Sequence, residues 1–228
     1  MMISDTFQKL HKDGFSFNDQ SIDNSIIQKI ESNLNAYFEN NSQADKYAIR
    51  QLIKRLPDLN ILFEIPILKY LIKEQYSLTK SIYFNKPAMS NWFVPYHQDL
   101  SIGVKEKIDT EGYKGWTFKK EQHGVIPPKR ILENTITVRI HLDDTNEENG
   151  ALRVIKNSHS NGILKREQIN RINTDDELIC KLNKSEYMLM KPLLLHASHK
   201  STSNSDRRVI HLEFCNQELD GELEWLEY

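Results

Sequence analysis

From about Ser77 onward the chain leaves the three-to-four spacing of its first third. It runs instead in short segments of alternating apolar and polar residues, each stopped by turn chemistry. Residues 81–85 read as a strand ended by Lys86-Pro87, and residues 92–102 as another. Residues 135–142 alternate, with Thr137, Arg139 and His141 on one face and Ile136, Val138, Ile140 and Leu142 on the other. Further strands are expected over 151–155, 193–197 and 207–214. The turns between them come from Asp143-Asp144 through Asn149-Gly150 and from the polar stretches 157–162 and 201–206. Many short strands with no helical pattern between them predict an antiparallel double sheet, not a parallel one.

The first third, residues 1–76, reads as a helical layer. Ser21-Ile22-Asp23 can cap a helix whose apolar positions Ile26, Ile27, Ile30, Leu34 and Phe38 share one face. A second apolar run from Leu52 to Ile67 is broken by Pro57 and Pro66 into shorter helices. Residues 77–215 form the expected β core. Within it, residues 103–133 carry Gly112, Gly115, Gly124, Pro127 and Pro128, and read as a long loop. Its Trp116, Lys119, Lys120, His123 and Lys129 suggest a lid over a site, and an anionic small-molecule substrate.

At 228 residues the chain is long enough for one sizeable core, and a single domain is expected. A formal net charge of −2 gives no reason to expect nucleic acid or an anionic membrane as partner. No apolar stretch approaches the roughly 20 residues that span a bilayer, and Met1-Met2-Ile3-Ser4-Asp5 lacks a secretion pattern. Cys180 and Cys215 are too few for a disulfide framework and read as buried thiols of a reducing compartment, so a cytoplasmic location is expected. Oligomeric state is not readable from this sequence.

The chemistry-bearing pattern is His97-Gln98-Asp99, answered about a hundred residues later by Leu194-Leu195-His196-Ala197-Ser198 and then Arg207-Arg208. On a strand, His97 and Asp99 point the same way and can reach one ion while Gln98 faces elsewhere. The third ligand, His196, must come from a distant strand brought alongside. Two imidazoles and one carboxylate suit one face of an octahedral ferrous ion, leaving the opposite face open for a co-substrate and dioxygen. A guanidinium just beyond suits a dicarboxylate, which it can grip with two parallel hydrogen bonds. Arg207 and Arg208 are adjacent on a strand, so only one points inward. A His-x-Asp triplet alone is common by chance; the order of aromatic strand, His-x-Asp, long interval, apolar strand, His and Arg carries the reading. His141, His159, His199 and His211 compete for the metal, and His199 would point to the other side of the strand bearing His196.

At these residues the chain resembles the phytanoyl-CoA dioxygenase family. Asn85-Lys86-Pro87, His97-Gln98-Asp99-Leu100, Asn149-Gly150-Ala151-Leu152 through Ser158-His159, and His196-Ala197-Ser198 each resemble a family motif, over roughly residues 81–214. The chain departs from the family where His199-Lys200-Ser201 follow the distal histidine and Asn204 comes late. The resemblance implies a double-stranded β-helix, the jelly-roll or cupin-like fold, with an N-terminal helical layer. It implies iron(II) on His97, Asp99 and His196, and 2-oxoglutarate anchored by Arg207. The implied activity is hydroxylation of a C–H bond of a small molecule with O2, as 2-oxoglutarate is converted to succinate and CO2. Retention of Asp99 argues against halogenation, which needs that coordination position. Gln98 could hold a ligand or the co-substrate, or simply pack. Arg139 could meet the co-substrate or a substrate carboxylate, or form a structural ion pair. Ser198 could bond the co-substrate or only shape a turn. The competing expectation is a cupin-like metal protein or enzyme of another class that does not turn over 2-oxoglutarate.

Overall fold

A computed structural model describes residues 3–18, 20–89 and 92–227. The N-terminal layer holds α1 (Ile3–Asp13), strand β1 (Phe15–Asn18), α2 (Asn24–Asn40), strand β2 (Ala48–Arg50), α3 (Leu52–Arg55) and α4 (Pro66–Lys73). Helix α2 starts where its sequence predicts: the Asp23 carboxylate accepts from the Ser25 amide, and Ile27, Ile30 and Leu34 are buried. The two prolines break the second apolar run as expected, Pro57 opening a 3-10 segment (Pro57–Glu64) and Pro66 opening α4.

The β core follows as β3 (Ser77–Lys86), β4 (Val94–His97), β5 (Ile102–Val104), β6 (Lys114–Lys119) and β7 (Gln122–Ile126). After α5 (Lys129–Glu133) come β8 (Thr135–His141), β9 (Leu152–Ile155), the short α6 (Arg166–Ile169), β10 (Glu177–Ile179), β11 (Tyr187–Met190), β12 (His196–Ser198) and β13 (Arg207–Cys215). The large sheet has the order β1-β11-β8-β13-β3-β2 and faces a four-stranded sheet, β10-β9-β12-β4, every pairing antiparallel. This is the double-stranded β-helix.

Each face of the large sheet has its own chemistry, set by the period of two. Ile136, Val138, Ile140, Leu189, Ile210 and Leu212 pack with Ile30, Leu34, Leu62 and Leu68 of the helical layer. Each such fully buried aliphatic chain contributes roughly 1.5–3 kcal/mol. Met188 and Met190 point the other way and pack with Leu152 and Val154 of the small sheet. That inner face of β8 carries Thr137, Arg139 and His141, all buried. Cys180 and Cys215 are buried free thiols, as expected.

Three expectations are corrected. Residues 103–133 are not one long loop: β5, β7 and β6 form a third antiparallel sheet. Its tight turn, Lys120-Glu121, has both residues at positive φ (49° and 60°) but carries neither glycine nor asparagine, so the usual sign of such a turn was missing. The C-terminal segment pins this sheet, with Trp225 bridged to Val104 and the Leu226 amide donating to the Gly103 carbonyl. Second, the strand carrying His97 stops there, and Asp99 lies beyond its end with its amide donating to the Pro192 carbonyl at 2.9 Å. Third, the strand expected over 193–197 begins only at His196, because Lys191 to Leu194 turn back through a 3.0 Å hydrogen bond. Among the described residues, no helix is long and apolar enough to cross a membrane.

Lys191 is a cost the fold carries. Its Nζ donates to the Glu133 carbonyl (2.9 Å), and burial pushes its pKa down to about 8, with Cys215 and Glu133 offsetting part of that. Between that value and the ordinary lysine value the unfolded chain binds the extra proton, so stability rises with pH across this window. Below pH 8 the cost is present in full. Lys191→Met is expected to raise stability at pH 7 by about 1–3 kcal/mol and to flatten the rise, as read by urea unfolding at pH 7 and 9.5. A less stable variant at pH 7 would contradict this.

Candidate metal centre

The antiparallel pairing of β12 with β4 sets His196 opposite His97. Their ring centroids lie 4.2 Å apart. Asp99 completes the group, with Oδ1 3.8 Å from His97 Nε2 and Oδ2 3.5 Å from His196 Nε2. One ligand atom from each of the three lies within 4.8 Å of the other two.

Main-chain carbonyls settle which nitrogen each ring offers. His97 Nδ1 lies 2.9 Å from the Pro95 carbonyl and His196 Nδ1 2.9 Å from the Leu194 carbonyl. A carbonyl only accepts, so each Nδ1 carries the proton and each Nε2 presents a lone pair toward Asp99. Burial pushes the His196 pKa down to about 4 against the pull of Asp99, so the ring is neutral at physiological pH, as a ligand must be. Burial opposes the charge on Asp99, but His196, His211, Lys80 and His97 outweigh it and hold its pKa far below the ordinary value. The His97 side chain is 40% exposed and that of His196 only 5%, so the group opens to solvent on the His97 side.

Beside this group the interior is cationic. Arg207 opens β13 opposite Lys86 of β3. Its Nε and Nη1 are buried and have no hydrogen-bond partner among the described residues. Burial and the neighbouring Arg139 charge push its pKa down to about 9. Lys86 is buried too; its Nζ donates to Ser198 Oγ (3.1 Å) and to the His199 carbonyl. Burial, then Arg207, lowers the Lys86 pKa to about 8. Gly150 lets these strands close up: at φ +72°, its missing Cβ would sit 2.6 Å from the His199 carbonyl oxygen and 2.9 Å from Lys86 Nζ. Arg208 faces the helical layer instead, paired with Asp143 (2.6 Å) and with Glu31 of α2 (2.8 Å). Of the two adjacent arginines, Arg207 is the inward one.

Arg139 also lies in this interior, its Nη1 3.0 Å from His211 Nδ1. The far nitrogen of His211 donates to Glu213 (3.0 Å), which accepts from Lys80 (2.7 Å). Asp99, His211 and Glu213 form a second group of close ligand atoms. There, however, His211 and Glu213 are already engaged by two cations, which disfavours a further metal ion. The Gln98 amide donates to the carbonyls of Gly162 and Leu193 and accepts from the Leu164 amide, at 2.7–2.8 Å. Main-chain bonds alone therefore account for its burial. His199 lies against Arg153 and Phe93, and His159 bonds the His11 carbonyl, so neither joins His97 and His196. Lys120 and Lys129 pair with Asp45 and Glu133 at the surface.

Sequence reasoning passed over Lys86, Lys80, His211 and Glu213 as site residues. One signal was available: Arg207, His211 and Glu213 share one face of β13, interrupted only by Val209, which marks a mostly polar row on a buried face.

The family model for phytanoyl-CoA dioxygenase (PhyH) matches residues 63–209, more than half of the chain. No curated protein matches it in sequence. Among solved structures, it is similar to AviO1 from Streptomyces viridochromogenes Tue57 at 15% identity and a TM-score of 0.67, covering 96% of each chain. It is similar to EctD from S. alaskensis with 2-oxoglutarate and 5-hydroxyectoine at 13% identity and a TM-score of 0.69, covering 94% of this chain and 76% of that one. The non-heme alpha ketoglutarate dependent carbocyclase SnoK from nogalamycin biosynthesis is similar at 12% identity and a TM-score of 0.66, over 98% of this chain and 86% of that one. At these identities the likeness is one of fold.

Proposed function

The chain belongs to the phytanoyl-CoA dioxygenase family, and from that premise we propose that it is an iron(II)- and 2-oxoglutarate-dependent dioxygenase that hydroxylates a C–H bond of a small molecule. The residues present fit both groups. His97, Asp99 and His196 offer two imidazole nitrogens and one carboxylate, the donor set that suits ferrous iron with open positions. The unpartnered Nε and Nη1 of Arg207 fit a carboxylate, with Lys86 and Ser198 beside it. When bound, iron and 2-oxoglutarate supply the oxidising power: one atom of O2 goes to succinate, formed with loss of CO2, and the other to the substrate.

The protein's own work is to hold and to orient. The Pro95 and Leu194 carbonyls fix both rings, and Arg207 would hold the far carboxylate of the co-substrate, orienting it toward the three ligand side chains.

The observation that carries the reading is a buried guanidinium without an anion beside a three-ligand group; a cupin-like protein without 2-oxoglutarate turnover leaves that guanidinium unexplained. The purified protein with Fe(II), 2-oxoglutarate and O2 is expected to release succinate slowly even without its primary substrate. Binding of iron without 2-oxoglutarate binding or succinate would contradict the proposal.

A further inference from the structure

A second buried guanidinium feels Asp99 nearby but has no carboxylate in hydrogen-bond contact among the described residues. Arg139 lies mid-strand in β8, opposite Met188 of β11 and His211 of β13. It is 8% exposed, and its Nε has no hydrogen-bond partner among the described residues. The next inward side chains on either side, Thr137 and His141, leave Oγ1 and Nε2 buried and unpartnered as well. Unsatisfied buried polar atoms cost about 1–3 kcal/mol each, so three in a row on one strand face indicate a surface built to meet a polar ligand.

Charge narrows the ligand. Lys80 and Glu213 form a neutral pair at 2.7 Å. The two charges of a divalent metal cancel those of 2-oxoglutarate. What remains is Lys86, Arg139 and Arg207 against Asp99, an excess of two positive charges. Arg139 cannot lose its charge by giving up a proton. A buried charge without a counter-charge is costly, so an anion is required.

Arg139 is also close to the reacting region. Its partner His211 offers a ring nitrogen within 4.8 Å of an Asp99 carboxylate oxygen. The bond from Arg139 to His211 Nδ1 uses one guanidinium nitrogen and leaves Nε available. We propose that Arg139 receives a carboxylate of the primary substrate, and that the enzyme therefore acts on carboxylic acids bearing the C–H bond to be oxidised. This rests on the iron and 2-oxoglutarate reading above.

The test uses anaerobic protein loaded with Fe(II) and saturating 2-oxoglutarate, observed through the iron–keto acid absorption band. Acetate and benzoate are titrated against their neutral amides, acetamide and benzamide. At least one carboxylate is expected to perturb the band without erasing it, and to bind about tenfold or more tightly than its amide. That preference is expected to vanish in Arg139→Gln and Arg139→Met; should neither variant fold, the wild-type comparison alone decides. Equal binding of acid and amide in both pairs would overturn the inference, as would a preference that survives in the variants. Displacement of 2-oxoglutarate by the carboxylates would overturn it too, as would loss of 2-oxoglutarate binding in Arg139→Gln, because Arg139 would then serve the co-substrate. Absence of the band in wild-type protein would instead defeat the parent reading, and this inference with it.

Discussion

In His196→Ala, iron affinity is expected to fall by roughly a hundredfold or more, and succinate formation to drop to background. Loss of a residue that merely orients a metal ligand already costs 10–100-fold in affinity, and His196 is proposed as a ligand itself. The ring is fixed by the Leu194 carbonyl on one side and faces Asp99 on the other, and alanine offers no donor in place of its Nε2. His199, the next histidine along, faces Arg153 on the opposite side of the small sheet. The variant should still fold. It loses one buried ring and one hydrogen bond, a cost of about 2–4 kcal/mol. His97→Ala should lose iron to a similar degree but cost less stability, because its side chain is 40% exposed where that of His196 is 5% exposed. Titration of the anaerobic proteins with Fe(II), beside thermal unfolding of the metal-free forms, checks both halves. Wild-type iron affinity in a folded His196→Ala would remove His196 from the centre.

The grouping of His97, Asp99 and His196 was expected from the order of the motifs and the family resemblance, but not from the right strands: Asp99 lies past the end of β4, and β12 begins only at His196. The two faces of β8 were readable because side-chain alternation is a property of a single strand. What could not be read depends on register between distant strands. Lys86 acquires its place only because it pairs with Arg207, and Ser198, 112 residues away, accepts from it. His211 meets Arg139 only because β13 pairs with β8, a contact 72 residues apart in sequence. Nothing in either residue's neighbours in sequence specifies that match. The edge strands β1 and β2 escaped for a related reason. Each is only three or four residues long and becomes a strand by hydrogen bonding to β11 or β3, as where Phe15 pairs with Met190, not by its own propensity.

The adjacent arginines of β13 are expected to give opposite results when each is changed to glutamine. Arg208 is held by Asp143 through short bonds from Nε and Nη2, and by Glu31 of α2, which also accepts from Lys184. Those pairs raise its pKa and tie the helical layer to the sheet; Arg208→Gln should therefore cost about 1–2 kcal/mol of stability, with little change in 2-oxoglutarate affinity. Arg207 has the reverse balance. Its charge is buried without an anion and repelled by Arg139, so removing it relieves strain in the ligand-free protein. Arg207→Gln should leave stability unchanged or raise it, while weakening 2-oxoglutarate binding by about a hundredfold or more, the loss of two charge-assisted hydrogen bonds at about 1.5–3 kcal/mol each. The same reasoning makes 2-oxoglutarate a stabilising ligand for the wild type, raising its melting temperature in the metal-loaded form, and a weak one for Arg207→Gln. Unfolding curves with and without 2-oxoglutarate, on both variants and the wild type, measure the two effects together. If Arg208→Gln lost the co-substrate and Arg207→Gln kept it, the anchor would be misassigned despite the inward position of Arg207.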